Sequence, residues 1–326
     1  MPRQIRSYIT TFLKGIAMGA ADVVPGVSGG TIAFVTGIYQ ELITTIDGLD
    51  LGIFSFWKNH GFKAMFRQYN LGFLLSLFGG VLVSILSLAQ LIKYLLEHQP
   101  ILVWSFFFGL VLASVLYIGK QIKRWNAGII AATAIGAVVA YYITIAIPGA
   151  APDVWYYFLL SGFIAIIAMI LPGVSGSFIL VLLGSYELVL GTLTDFISGL
   201  RSGDWDMVKL SLFKVLLFIL GCIIGLKLFS KALRWMFEHK REMTLAVLTG
   251  FMIGSLNKIW PWKRVLTTRI DRHGVEVPLL EDSVLPQSYE GEPLVLYACI
   301  AACIGFVLIL LLERTAGQKQ TNADRH

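Results

Sequence analysis

The sequence predicts an all-α polytopic membrane protein with two inverted-topology repeats, each containing a re-entrant helical hairpin and about three transmembrane helices. Three observations predict it: an apolar composition, an internal duplication and a one-sided distribution of basic loops. Of the 326 residues, 56% are hydrophobic and only 14% are charged, and the mean hydropathy is +0.75. Soluble domains average about 45–50% apolar and about 25% charged residues. The apolar runs are too many for one signal peptide or a single anchor.

One segment of the chain occurs twice. Residues 25–39 read PGVSGGTIAFVTGIY, and residues 172–186 read PGVSGSFILVLLGSY. A Pro, three Gly, a Val, a Ser, an Ile and a Tyr match at an offset of 147. A second register, at an offset of 141, pairs Gly80 with Gly221. Because self-similarity over such a length is the signature of a repeat, the sequence predicts two homologous halves.

The apolar runs divide each half by length. The runs near 71–96, 101–119 and 127–147 correspond to those near 209–236, 243–260 and 293–312. Each run is close to the about 20 residues that cross a bilayer as a helix. The sequence therefore predicts a first repeat over 1–147, a second repeat over 148–312 and a polar cytoplasmic tail over 313–326.

The segments that flank each PGVSG motif are too short to cross a membrane. From Lys14 to Pro25, and from Thr31 to Glu41, there are about ten residues, which cover roughly half of a ~30 Å hydrocarbon core at 1.5 Å per residue. This length predicts a re-entrant hairpin whose PGVSGG tip lies near the midplane. The second copy predicts a hairpin around PGVSGS, although its apolar stretch reaches back to Trp155.

The basic residues favour re-entrant hairpins over spanning broken helices. With hairpins, each half crosses the membrane three times, so the two halves are inverted relative to each other. The cytoplasmic side then holds Arg3, Arg6, Lys14, Lys58, Lys63, Arg67, Lys120, Lys123, Arg124, Lys240, Arg241, Arg314, Lys319 and Arg325. Loops 97–100 and 148–154 contain no Lys or Arg, and Arg201 and Lys209 are exceptions. The positive-inside rule thus predicts cytoplasmic termini and an extracytoplasmic, mixed-charge loop over 261–292.

The PGVSGG turn also matches the G-x-S-x-G pattern of a nucleophile elbow. That elbow belongs on an α/β sheet beside a base, whereas no histidine is predicted at the depth of Ser28, and Ser177 breaks the pattern in the second copy. The sequence therefore predicts no catalytic residue and no enzyme. A glycine-rich turn at the start of a helix frees backbone N–H groups at the positive end of the helix dipole, which suits an anion. Close helix packing by small residues is the alternative interpretation.

Other classes of chemistry are not indicated. The three cysteines, Cys222, Cys299 and Cys303, lie in apolar segments without metal-ligand spacing, and the five histidines form no H-E-x-x-H arrangement. The sequence predicts no metal and no cofactor. The net charge of +6 comes from bases that gather in loops, where membrane topology explains them, so no nucleic-acid partner is expected.

The motif segments also carry a family resemblance. Residues 15–42, GIAMGAADVVPGVSGGTIAFVTGIYQEL, and residues 167–187, IAMILPGVSGSFILVLLGSYE, resemble the polyprenyl-phosphate transporter family, the PopT-type undecaprenyl phosphate translocases. The resemblance covers the chain to about residue 312. It implies a multi-pass protein of the bacterial plasma membrane that returns the undecaprenyl phosphate carrier of cell-wall synthesis from the outer to the cytoplasmic leaflet.

Both lines of argument indicate a phosphate headgroup bound between the two turns. The expected contacts are backbone N–H groups and hydroxyls of Gly26, Ser28, Gly29, Gly30, Thr31, Gly173, Ser175, Gly176 and Ser177. A secondary transporter of a small soluble anion would use the same turns. An intramembrane phosphatase or acyltransferase acting on lipid phosphates is a further alternative.

Two charged residues within apolar segments are additional candidates. Asp22 lies three residues before Pro25, and the offset of 147 places Met169 at its counterpart. An intramembrane carboxyl is a functional candidate, here for proton coupling, and capping of the turn is the alternative. Lys227 lies deep within its apolar run and is a candidate for attracting phosphate.

Overall fold

A computed structural model describes residues 5–24, 26–270 and 276–323. Arg3, Pro25 and Arg325 lie outside these ranges, as do residues 271–275 of the 261–292 loop, and the side chains of Arg6, Arg314 and Lys319 lie outside the described part as well. Within the described residues the chain forms fourteen α-helices and one two-stranded hairpin. The prediction of a polytopic helical membrane protein is confirmed at this level.

Eight helices belong to the first half of the chain. They are α1 (Ile5–Val23), α2 (Gly29–Val35), α3 (Tyr39–Gly48), α4 (Gly52–His60), α5 (Phe62–Gln68), α6 (Leu71–His98), α7 (Pro100–Gly119) and α8 (Ala127–Ile145). Six helices belong to the second half. They are α9 (Trp155–Ile170), α10 (Gly176–Leu182), α11 (Tyr186–Ser202), α12 (Trp205–His239), α13 (Arg241–Ser255) and α14 (Val295–Ala323).

Local sequence signals explain several helix ends. The Asn126 side chain accepts a hydrogen bond from the N–H of Ile129 at 3.0 Å and begins α8, and Asp204 begins α12 in the same way. Asn and Asp are favoured at this position because their side-chain oxygens satisfy N–H groups that lack a partner in the helix. Gly203, with φ of +77°, ends α11 in the left-handed conformation.

Among the described helices, α6, α7, α8 and α12 are long and apolar enough to cross a membrane. A fifth span results if α10 and α11, which meet at a bend of 103°, are counted as one broken helix. One predicted span is shorter than expected, because α13 has 15 residues, whereas α14 contains the apolar segment Val295–Leu311. The helix α13 ends early because residues 256–259 form turns around the polar Asn257 and Lys258.

The helices pack in pairs that recur in the two halves. In the first half α1 packs along α6, and in the second half α9 packs along α12. Two further pairs join the halves, because α7 packs on α14 and α8 packs on α13. A Cβ on Gly80 would lie 3.0 Å from the Cα of Gly15, and a Cβ on Gly162 would lie 3.2 Å from the backbone N of Cys222. Glycine at these crossings lets the helix backbones approach closely.

The main hydrophobic core surrounds the first PGVSG segment. Val24, Val27, Ile32 and Val35 are buried there, together with side chains of α6, α7 and α13. The second segment belongs to a smaller cluster that contains Val174 and Ile179. The first turn is therefore central, whereas the second lies nearer the surface.

The outward faces of the long helices are apolar and exposed. Ile135 and Val138 of α8 are examples, as are Leu216, Ile219 and Ile223 of α12. Large exposed apolar surfaces of this kind are unusual on soluble monomers and suit contact with lipid. They agree with a multi-pass membrane protein.

The 261–292 loop contains a β-hairpin that the all-α prediction did not include. Strand β1 (Lys263–Ile270) pairs antiparallel with β2 (Glu276–Ser283). The prediction treated 261–292 only as a long extracytoplasmic loop of mixed charge, although the β-branched Val265, Thr267 and Thr268 favour a strand. Two indole N–H groups fix the base of the hairpin: Trp260 donates to the Val284 carbonyl and Trp262 to the Pro293 carbonyl, both at 2.8 Å.

Candidate functional site

The structure brings the two PGVSG segments into direct contact. The Ser28 hydroxyl donates a hydrogen bond to the Leu171 carbonyl at 3.2 Å. The Thr31 hydroxyl oxygen accepts one from the backbone N–H of Gly173 at 2.9 Å. Two side chains from the first turn thus bond to the backbone of the second turn, so the two turns form one polar centre.

The first turn is closed by its own side chains. Asp22 of α1 accepts a hydrogen bond from the N–H of Gly29 at 2.6 Å, and the Ser28 hydroxyl accepts one from the N–H of Gly30 at 3.1 Å. The N–H of Thr31 bonds to the Ser28 carbonyl at 2.9 Å. The Ser28 and Thr31 residues are 2% and 0% exposed. The first three N–H groups of α2 therefore already have partners inside the protein.

The second turn is more open. The hydroxyl oxygens of Ser175 and Ser177 lie 2.9 Å apart, and Ser175 does not cap α10 with its side chain. The Gly176 residue is half-buried and Ser177 is exposed. The two turns therefore share a sequence but differ in how their polar groups are used, and Ser177 brings a hydroxyl to the surface of the second turn.

Both turns need glycine at the position after the proline. Gly26 has φ of +83° and Gly173 has φ of +89°, in the region that side chains with a Cβ rarely adopt. A Cβ on Gly26 would lie 2.6 Å from the Cγ of Lys258, and a Cβ on Gly173 would lie 2.7 Å from the Oγ of Ser255. The end of α13 and the turn that follows it therefore contact both glycines.

The two charged candidates occupy different places. The carboxylate of Asp22 caps the first turn, as the hydrogen bond to Gly29 shows. The amino group of Lys227 donates to the carbonyls of Ile46, Asp47 and Leu49, at 3.1 Å and 2.7 Å for the first two. A cation at the C-terminal end of a helix is favoured by the helix dipole, so Lys227 caps α3. The phosphate-attracting role of Lys227 stays a prediction.

A cluster of charges that the sequence did not reveal lies beside the turns. Lys258 and Lys263 share one carboxylate oxygen, Oε2 of Glu281, at 3.4 Å and 3.6 Å. The Lys258 amine also lies 4.6 Å from the ring centre of Phe178, and the Lys263 amine lies 3.7 Å from that of Trp104. We call these three charged residues the lysine–glutamate cluster. The sequence could have indicated Lys258 as a candidate, because it is a basic residue inside a predicted span.

The cluster is largely buried and carries an excess of positive charge. The side chains of Lys258, Lys263 and Glu281 are 16%, 9% and 23% exposed. Burial lowers the pKa of Lys263 to about 8, with Glu281 opposing the shift and Lys258 adding to it. Burial raises the pKa of Glu281, but the charges of Lys263 and Lys258 outweigh it and the net pKa lies below its ordinary value. Two lysine side chains therefore face one carboxylate.

Known proteins are similar to this chain over most of its length. Residues 18–277 match the model of a family described as VCA0040-like, undecaprenyl phosphate translocase-like. A polyprenyl-phosphate transporter of Vibrio cholerae serotype O1 is 44% identical over 320 residues, which cover 97% of this chain and 99% of the relative. A polyprenyl-phosphate transporter of Staphylococcus aureus is 32% identical over 267 residues, 76% of this chain and 85% of the relative.

The comparisons confirm the resemblance that the motif segments carry. Both relatives bear the name of a transporter and neither that of an enzyme, in agreement with the interpretation of PGVSGG as something other than a nucleophile elbow. No solved structure matches the chain. The chain belongs to the undecaprenyl phosphate translocase-like family.

Proposed function

We propose that this protein moves undecaprenyl phosphate, a polyprenyl phosphate, across the bacterial plasma membrane and so returns the lipid carrier to the cytoplasmic leaflet. The observation that carries the proposal is the pair of hydrogen bonds that joins the two PGVSG turns, Ser28 to Leu171 and Gly173 to Thr31. This pair brings hydroxyls and backbone N–H groups of both halves together within a protein whose outer surface suits lipid. The names of the two relatives supply the substrate class.

The chemistry of the substrate explains why such a centre is needed. A phosphate in hydrocarbon loses its water, and the cost of an unpaired charge there is high. The polyprenyl chain has no such cost and can remain between helices in contact with lipid. A polar centre that is reached from the lipid side therefore lowers the barrier for the headgroup alone. The pair of Ser175 and Ser177, which one hydrogen bond joins, has one hydroxyl proton left for it, whereas the Ser28 hydroxyl already donates to Leu171.

The two halves are proposed to act as inverted repeats. Corresponding glycines, Gly15 and Gly162, stand at corresponding helix crossings, α1 with α6 and α9 with α12. The 103° bend between α10 and α11 fits a hairpin that enters and leaves on one side. With basic loops on the cytoplasmic side, one hairpin opens to each face. Rocking of one repeat against the other would then expose the polar centre to either leaflet.

Asp22 is proposed to couple this movement to protons. Its carboxylate holds the N–H of Gly29 at 2.6 Å and so helps to close the first turn. A protonated carboxyl is a weaker acceptor than a carboxylate, because hydrogen bonds to charged groups are the stronger ones. Protonation would therefore loosen the first turn and free a donor for the phosphate. The same residue thus combines the capping and the coupling interpretations.

Translocation in liposomes that contain the purified full-length chain tests this function. We expect a fluorescent polyprenyl phosphate to change leaflets faster than in empty liposomes, whereas the matching polyprenol without phosphate does not. Soluble phosphate at millimolar concentration should neither be taken up nor abolish the movement. Uptake of soluble phosphate without lipid movement would indicate a soluble-anion transporter. A chemically altered lipid would indicate a lipid-phosphate enzyme, because transport returns its substrate unchanged.

A further inference from the structure

We propose that Lys258 and Lys263 bind a phosphate anion, the headgroup of the transported lipid, and that Glu281 competes with it for their two amino groups. This proposal rests on the proposed function and extends it, because neither lysine lies in the PGVSG turns. The cluster joins elements distant in sequence: Lys258 follows α13, Lys263 begins β1 and Glu281 lies on β2.

The position of Lys258 connects the cluster to the polar centre. Its side chain packs against Gly26 of the first turn, where a Cβ would lie 2.6 Å from Cγ. Its amine faces the ring of Phe178, the residue after Ser177 in the second turn, at 4.6 Å from the ring centre. An anion held by Lys258 is therefore next to both turns. The aromatic faces of Phe178 and Trp104 orient the two cations without neutralising them.

The charge balance of the cluster indicates an anion. Glu281 contacts both amines through the same oxygen, at 3.4 Å and 3.6 Å, so one negative charge serves two positive charges. The Lys263 side chain is only 9% exposed, and its Nζ has no hydrogen-bond partner among the described residues. A buried ammonium without a hydrogen bond is costly, and a structural ion pair would need only one lysine.

A phosphomonoester would supply the negative charge and the hydrogen-bond acceptors that the two lysines lack. It carries a charge of about −1.5 to −2 at pH 7 and three acceptor oxygens, enough for both amines. The same charge repels the Glu281 carboxylate. Because Glu281 lies on β2, its release would free that strand from Lys258 as the headgroup arrives, while Lys263, at the start of β1, keeps its place beside the headgroup. Glu281 therefore competes with the phosphate for the two amino groups.

The test compares uncharged substitutions of the three residues, which are expected to change phosphate binding in opposite directions. Binding of two probes, polyprenyl phosphate and inorganic phosphate, is measured for the full chain in lipid nanodiscs at about pH 7. We expect Lys258→Gln and Lys263→Gln each to weaken binding about tenfold or more, because each loses a charge-assisted hydrogen bond. We expect Glu281→Gln to strengthen it. Arg264→Gln and Asp282→Asn are the matched controls, an exposed pair at 3.9 Å on the same two strands, and should bind as wild type.

Whether Glu281→Gln strengthens or weakens phosphate binding decides the outcome. If the three residues only fasten the hairpin, all three substitutions weaken binding together or none changes it, and either result overturns the proposal. If Lys263→Gln fails to fold, Glu281→Gln remains decisive, since its expected effect is a gain. Tighter binding of polyprenyl phosphate than of inorganic phosphate identifies the lipid headgroup, whereas equal affinities identify free phosphate as the ligand of the cluster.

Translocation by the wild-type chain separates this proposal from the proposed function. If the wild type moves polyprenyl phosphate but the three variants bind it as the wild type does, the cluster assignment is wrong and the function stands. If the wild type moves no lipid but the variants change phosphate binding in the stated directions, the cluster stands and the function is wrong.

Discussion

The Thr31 hydroxyl oxygen accepts a hydrogen bond from the backbone N–H of Gly173 at 2.9 Å, across 142 positions of sequence. Thr31 is fully buried and Gly173 is buried as well. A buried N–H that loses its acceptor costs about 1–3 kcal/mol, so this bond holds the two turns in register. It also means that the headgroup, to reach Gly173, must replace Thr31 as the acceptor.

Thr31→Val tests that relationship with little change in shape. We expect a loss of about 1–3 kcal/mol in unfolding free energy, because the Gly173 N–H is left without an acceptor. Translocation should fall as the turns separate. Thermal unfolding and lipid translocation measure the two effects. Thr44→Val is the control, since the exposed Thr44 hydroxyl donates within its own helix, to the Gln40 carbonyl, and not between the two turns. Equal behaviour of the two variants would show that the contact between the turns has no role.

Replacing either serine of the turns with alanine should reduce transport to a similar degree, but the two substitutions should lower the stability of the protein unequally. Ser28 caps α2 and donates to Leu171, whereas Ser175 bonds to Ser177. Ser28→Ala should therefore lose about 1–2 kcal/mol of stability, and Ser175→Ala less. Both should reduce translocation partially, because Ser28→Ala removes a bond that joins the two turns and Ser175→Ala removes one of several polar groups of the second turn. Complete loss in Ser28→Ala beside wild-type behaviour in Ser175→Ala would instead support a nucleophile at Ser28.

Asp22→Asn separates capping from proton coupling. The amide oxygen of asparagine can still accept the hydrogen bond from Gly29, so the protein should fold, but the side chain no longer gains and loses a proton. We expect slower translocation that no longer depends on a proton gradient. The measurement is the translocation rate in liposomes with and without an imposed gradient. Asp195→Asn, in an exposed residue of α11, is the control. An unchanged response to the gradient in Asp22→Asn would remove Asp22 from coupling.

Binding of phosphate should weaken as the pH rises through about 8. The pKa of Lys263 is lowered from 10.5 to about 8, so its amine is mostly charged at pH 7 and mostly neutral at about pH 9. The groups that face it are Lys258, Glu281 and Trp104, and Glu281, with its lowered pKa, stays ionised over this range. Binding measured from about pH 7 to about pH 9 should fall in the wild type and change less in Lys263→Arg, because arginine keeps its charge. Equal pH profiles would contradict the role of Lys263.

The inverted topology can be tested with cysteines at exposed positions. Without the native Cys222, Cys299 and Cys303, a cysteine at His98 should react with an impermeant thiol reagent from outside, and one at Lys123 should not. Both residues are exposed, whereas the neighbouring Ile122 is 4% exposed and would react from neither side. Labelling of intact cells before and after permeabilisation gives the comparison. Reaction of the cysteine introduced at Lys123 in intact cells would contradict the proposed orientation.

The sequence predicted which segments meet but not how they bond. Duplication alone indicated that residues 25–30 and 172–177 are equivalent, because a polar turn that recurs in an apolar chain is typical of a repeated structural unit. The bond between Thr31 and Gly173 depends on the angle between two helix pairs, which no local pattern encodes. The same holds for the difference between Ser28, which is a cap, and Ser175, which is not.

The elements after α13 were the least predictable. Apolar residues up to Trp260 suggested a span over 243–260, yet the helix ends at Ser255 because Asn257 and Lys258 turn the chain toward Glu281. The lysine–glutamate cluster depends on the strand register that places Glu281 beside Val265, with an irregularity just after that pair. Charge alone in 261–292 could not indicate that one carboxylate is buried against two lysines.

A structure of the full chain in lipid nanodiscs with bound polyprenyl phosphate tests the central claim most directly. We expect one headgroup between the two PGVSG turns, with phosphate oxygens about 3 Å from donors of the second turn and from the amine of Lys258. Glu281 should then be displaced from both lysines, and the polyprenyl chain should lie against the apolar outer surface. A headgroup bound elsewhere, with the bond from Gly173 to Thr31 and the lysine–glutamate cluster both intact, would contradict the proposed mechanism.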